Sequence, residues 1–211
     1  MPKNGTETRA RLLDAAERLT LGQGFSATTV DQVIAEAGSS KGAFFHHFSS
    51  KNDLGRALVA RYAAADVAAL RRAMASAEQR SDDPAIQLIE FVRGFEEIGD
   101  EIADEHQSSC LYASFVHHRE LAADGGTGVI VEAIEAWRAA IAEKLAAVAA
   151  AGSLDGSINL DDLADHVFVT FEGAFILARA VRDTSRMRAQ LRILRQTLEA
   201  LLRVTSVESP A

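Results

Sequence analysis

Lys41 opens a short run, KGAFFHHF over 41–48, that follows two serines and contains a cation, two small residues and adjacent histidines. These residue types at this spacing suit contact with a polyanionic duplex. Lysine neutralises a phosphate, Gly42 and Ala43 let the backbone approach closely, and free N–H groups at a helix start take up a further phosphate oxygen. Adjacent helical residues project about 100° apart, so His46 and His47 make different kinds of contact. A glycine in such a helix weakens it by about 1 kcal/mol relative to alanine, a loss that makes sense where close approach matters. The plain alternative is a small helical subdomain in which Gly38 merely ends a helix.

A second set, His106, Cys110, His117, His118, Glu120 and His166, holds metal-competent side chains, and Cys110 to His117 spans two helical turns. No tight cluster has zinc-finger spacing, so no metal is expected. The sequence has no phosphate-binding loop, dinucleotide fingerprint, serine elbow or CxxC. Neither an enzyme nor a cofactor is expected.

The elements that must carry the first set read as helices. Leu12, Ala16 and Leu19 share one face of a helix over 6–21 that Gly22 and Gly24 end, with Phe25 expected to pack back on it. Thr28-Thr29 starts a second, short helix with Val30, Val33, Ile34 and Ala37 inward, and Thr29 with Gln32 is the better capping box. Gly38 ends it. Ser39 or Ser40 caps a third helix, Lys41 to Phe48, and Ser49 or Ser50 a long fourth running towards Ala77. Beyond Pro84 the helical period recurs over 88–102, 111–116, 130–148, 160–174 and 187–201, making nine helices. The segment HVFVTF, 166–171, has strand-like composition, but its helical flanks and lack of a partner strand decide for helix.

With 211 residues, 48% hydrophobic and 25% charged, the chain falls in the folded globular class, and 3 prolines favour helix. No apolar run approaches the roughly 20 residues of a membrane span. No signal segment is evident, and the single cysteine forms no internal disulfide, so the cytoplasm is the expected location. The net charge of −8 hides an asymmetry: 7 Lys or Arg against 6 Asp or Glu up to Ala60, and 15 against 24 afterwards. Only the amino-terminal quarter does not repel a polyanion on average.

The stretch TTVDQVIAEAGSSKGAFFHHFSSKNDL, Thr28 to Leu54, resembles the helix-turn-helix signature of the TetR family of transcriptional regulators, with LLDAAERLTLGQGFSATT ahead of it in register. The resemblance implies an all-α, nine-helix architecture: a helix-turn-helix domain over 6–52, then a helical ligand-binding and dimerisation domain over 53–205. It implies a homodimer that binds a palindromic double-stranded operator as a repressor and is released by a small-molecule effector. The alternative is a helical DNA-binding or partner-binding protein without a working effector pocket.

Carried onto this chain, the resemblance makes Thr29, Ser40, Lys41, Gly42, Ala43, Phe45, His46, His47 and Lys51 the DNA-facing set. Phe45 stands where the family usually has tyrosine, leaving an apolar ring in place of a phosphate-reaching hydroxyl. Ser39 replaces a usual apolar turn residue, and Ala43 a frequent threonine. The effector cavity is expected among Phe91, Phe95, Cys110, Phe115, Trp137, Ile141, Phe168, Phe171 and Phe175. SSCLYASFVHHREL, 108–121, resembles the sixth-helix region of a subgroup in which a cysteine reacts with electrophiles or oxidants. Against that, the apolar neighbours Leu111 and Ala113 suit a chemically quiet Cys110. The dimer interface is expected on the last two helices, through Leu163, Val167, Thr170, Gly173, Ala174, Leu177, Leu191, Leu194, Leu198 and Leu201.

Overall fold

The computed structural model describes residues 5–104 (102–104 by backbone alone), 112, 115, 128–154 and 156–202. Among them are nine α-helices and no strand. They are α1 (Gly5–Gln23), α2 (Val30–Glu36), α3 (Lys41–His47), α4 (Lys51–Glu78), α5 (Pro84–Glu97), α6 (Gly99–Asp104), α7 (Gly128–Ala150), α8 (Leu160–Val181) and α9 (Ser185–Leu201). The chain forms two compact units, Met1–Ala65 with Glu105–Ala133, and Asp66–Asp104 with Ile134–Ala211, so the division falls inside α4 and α7.

In the first unit, α1 buries Leu12, Leu13, Ala15, Ala16 and Leu21. Arg61 of α4 holds α1 through Asp14, at 2.6 Å, and through Glu17. Phe25 is buried, but it does not simply fold back on α1. Its ring lies over the start of α4, where a Cβ on Gly55 would sit 2.6 Å from Cζ, and it stacks at 4.7 Å on Phe115. The missing side chain at Gly55 makes that seat available, and the left-handed backbone at Gly24 (φ +84°) turns the chain just before Phe25.

The second unit is built on the apolar stripes of α5, α7, α8 and α9, joined by Leu70, Met74 and Ala77 of α4. Asp83 caps α5, with Pro84 in its first turn. The single helix expected over 88–102 breaks at Ile98, and a Cβ on Gly99 would meet the Arg188 backbone nitrogen of α9 at 3.3 Å, so only glycine permits that approach without displacement. α9 packs on α5 and α8. Arg195 ties it to α5 by a 2.7 Å bond to Glu96, which raises the guanidinium pKa above its ordinary value. No described helix is long and apolar enough to cross a membrane.

Candidate nucleic-acid interface

Local chemistry sets the α2–α3 geometry. The Thr29 hydroxyl accepts from the Gln32 N–H at 3.2 Å, and the Gln32 side chain accepts from the Thr29 N–H at 2.8 Å, so both expected halves of the capping box are made. At the other end of α2, Gly38 adopts φ +55°; its N–H donates to the Ala35 carbonyl and the Ser39 N–H to that of Ile34. That pair of bonds is a Schellman turn, and it ends α2 while aiming the chain into α3. Ser40, rather than Ser39, then caps α3 by accepting from the Ala43 N–H at 3.1 Å. Ser50 accepts likewise from Asp53 at the start of α4.

One face of α3 is anchored and the other is open. Phe44 and Phe48 are fully buried, and the Arg9 guanidinium lies 5.3 Å from the Phe48 ring centroid. On the opposite side Lys41, Gly42, Phe45 and His46 are exposed together. Phe45 is half exposed, at 50%, although it is the bulkiest side chain of that face. Its ring stands edge-on to Phe44, 5.2 Å away at 82°.

The rest of the expected DNA-facing set is placed differently. Ala43 is half-buried; Thr29 and Ser40 remain exposed but hold their hydroxyl oxygens in caps. His47 is half-buried, with its ring edge 3.5 Å from where a Cβ on Gly5 of α1 would stand, so it is the packed member of the histidine pair. Lys51 turns inward, its ammonium donating to the Ser26 carbonyl at 3.1 Å and lying 4.7 Å from the Phe25 centroid.

Residues 12–58 match the family model of bacterial regulatory proteins, tetR family. That match places a TetR-type DNA-binding motif in the amino-terminal stretch of the chain. It is similar to the transcriptional regulator AcuR of Cereibacter sphaeroides, 24% identical over 159 residues that cover 74% of this chain and 69% of that protein. The HTH-type transcriptional regulator SrpR of Pseudomonas putida is 41% identical over 54 residues, only 26% of this chain and 25% of SrpR. Among solved structures, a TetR-family regulator from Agrobacterium tumefaciens superposes with a TM-score of 0.76 at 22% identity, covering 92% of this chain and 98% of that one. Reduced NemR of E. coli gives 0.70 at 20% identity over 90% and 96%. At these identities the structural likeness establishes the all-helical TetR fold and nothing finer.

The residues expected to line an effector cavity divide. Phe91, Phe95, Trp137, Phe168 and Phe171 form one aromatic cluster with centroids 5.1 to 6.3 Å apart, and the Trp137 indole N–H donates to Asp66 at 3.0 Å. Ile141 is buried in the same core and Phe175 packs against it. Phe115 belongs to the other unit, against Phe25. Cys110, with His106, His117, His118 and Glu120, lies outside the described residues, and His166 is exposed on α8. Beside this cluster, Val67, Leu70, Met74, Ala136, Ala139 and Ala140 border an open groove of about 350 Å³ between α4 and α7.

The residues expected at the dimer interface are placed in two ways. Leu163, Val167, Ala174, Leu191, Leu194 and Leu198 are buried in the protomer's own core, and Leu201 is half-buried beside them. Thr170 is half-buried, whereas Gly173 and Leu177 face outward. The outer face of α8 is instead carried by Val169, 61% exposed, Ile176, 55% exposed, and Val181, with Ile193 on α9. α8 bears two apolar stripes. The sequence pattern shows the stronger one, which packs on α5, α7 and α9; His166, Val169, Gly173, Ile176 and Ala180, at steps of three and four, mark the second.

Proposed function

We propose that the protein is a repressor that binds a palindromic DNA operator as a homodimer and releases it when a small molecule occupies the helical domain after residue 53. The observation that carries this reading is the open face of α3, where Lys41, Gly42, Phe45 and His46 stand together above an aromatic anchor. A short helix so presented suits the major groove, with Lys41 on phosphate and the following turn towards base edges. The exposed apolar stripe of α8 supports a second copy as its cover. Asp161 and Asp162 lie at one end of that helix and Arg179 and Arg182 at the other, so an antiparallel pairing across a twofold sets opposite charges together. The proposed locations are the cytoplasm for the protein and the aromatic cluster around Trp137 for the effector, with the Asp66 carboxylate as its polar handle.

Fluorescence anisotropy of labelled duplexes tests the DNA half: sequence-selective binding by a species of two-chain mass is expected, and equal affinity for all duplexes would defeat it. Trp137 emission tests the effector half. Compounds that change it should release the operator at the same concentration, and a Trp137→Ala protein that still binds operator should need more compound. Unchanged release in that variant excludes the cluster as the effector site.

A further inference from the structure

We infer that Phe45 is a specificity-determining residue that reads the C5-methyl group of a thymine in each operator half-site. The inference rests on the proposed DNA-binding role of α3.

Phe45 stands outside the core of the first unit, whose α3 contribution is buried Phe44 with Phe48 just after the helix. It nevertheless leaves half of an apolar ring in water, on the same face as Lys41 and Gly42, four and three residues earlier. The edge-on contact with buried Phe44 limits how the ring turns, so it is held in position before any partner arrives. Nothing stands within 4 Å of where a Cβ on Gly42 would be, so the surface preceding the ring is unobstructed.

With Lys41 on a phosphate, the ring lies about one helical turn, roughly 6 Å, further along the helix. A phenyl ring carries neither donor nor acceptor, so it has no means of reading the hydrogen-bonding pattern of a base edge. The thymine methyl is the one apolar group that the major-groove edges of the four natural bases present. A protein pocket for the same ring would also have to desolvate Lys41 and His46 beside it.

The full-length protein is first used to select operators from a randomised duplex pool. Each thymine of the selected site is then replaced by deoxyuridine, which removes the methyl and keeps the base pair. Replacement in one half-site should weaken binding about fourfold, and in both half-sites together about fifteenfold. Phe45→Ala and Phe45→Leu proteins, checked by circular dichroism, bind the parent operator more weakly; the alanine form should be indifferent to the same replacements. Indifference of the parent protein to every replacement would overturn the inference, as would an operator without thymine or an equal loss in Phe45→Ala. Uniform weakening of all duplexes by Phe45→Ala would place the ring on sugar and overturn it too. Failure to enrich any duplex would remove the DNA-binding reading itself, an outcome distinct from uracil indifference.

Discussion

Gly55 and Phe25 fit together so closely that a Cβ on Gly55 would lie 2.6 Å from Cζ of the ring and 3.1 Å from Cε2. The ring has little room to swing aside, since it is buried with the Lys51 ammonium and the Phe115 ring centroid each 4.7 Å from its own centroid. Gly55→Ala should therefore lower stability by about 1 to 3 kcal/mol through overpacking, whereas helix propensity alone would raise it by up to about 1 kcal/mol. A fall in the urea midpoint isolates the clash. A rise would show that Phe25 relocates.

Gly42 is the opposite case, with nothing within 4 Å of a Cβ. Gly42→Ala should leave the fold unharmed or stabilise it by at most about 1 kcal/mol. Operator affinity should nevertheless fall, by about tenfold for a loss of 1.4 kcal/mol. A variant that gains stability and keeps full affinity would show that backbone approach at residue 42 is not used.

The two lysines of the expected DNA-facing set should separate by salt dependence. Lys41→Ala weakens operator and random duplex together, and in a dimer lowers the log-log salt slope by about 2, near 0.9 per phosphate contact. Lys51→Ala, which loses the Ser26 carbonyl bond and the Phe25 ring, leaves the slope alone and lowers stability by about 1 kcal/mol. Titrations from about 50 to 200 mM salt cover the range in which the slope is read. Equal slopes for Lys41→Ala and the parent would move phosphate contact elsewhere.

Substitutions on the two faces of α8 and α9 should have unlike effects. Val169→Glu or Ile176→Glu places a charge on the outer stripe, and light scattering should find one chain mass with helical content unchanged. Leu198→Ala, fully inside the protomer, should cost about 2 to 5 kcal/mol of stability. Two-chain mass in both outer-face variants would require a different interface.

Before α9, Asp183 offers a pH test. The Ser185 hydroxyl, the Ser185 N–H and Arg186 hold its carboxyl below the usual range. Because the folded pKa is lowered, its stabilising contribution is present above the ordinary carboxylate value, about 3.9, and is lost as pH falls through the folded value. Asp183→Asn should flatten the acid limb of a urea-midpoint profile. An unaltered limb would mean that the contact is made equally in the unfolded chain.

Elements governed by local chemistry were legible: the capping box at Thr29, the left-handed Gly38 and Pro84 in the first turn of α5 all depend on neighbours in the chain. The family signature lay in the same stretch. Long-range packing was not legible. Phe25 finds Gly55 thirty residues away, and no local pattern announces that a glycine inside α4 is a seat for a ring. Lys51 carries the charge expected of a phosphate contact, yet its bond to the Ser26 carbonyl joins residues twenty-five apart and has no local signal. The burial of Leu163, Leu191 and Leu198 in the protomer's own core was not legible for a related reason: helical periodicity finds an apolar stripe but does not say which partner, α5 or a second chain, lies against it.

The only tryptophan, Trp137, falls in the second unit, while both tyrosines, Tyr62 and Tyr112, fall in the first, in edge contact at 5.0 Å. The molecule therefore carries a separate native chromophore in each half. Selective excitation of the indole follows melting of one unit, and the phenol signal follows the other. Coincident curves would describe one cooperative transition and separated curves two, without a label or a substitution.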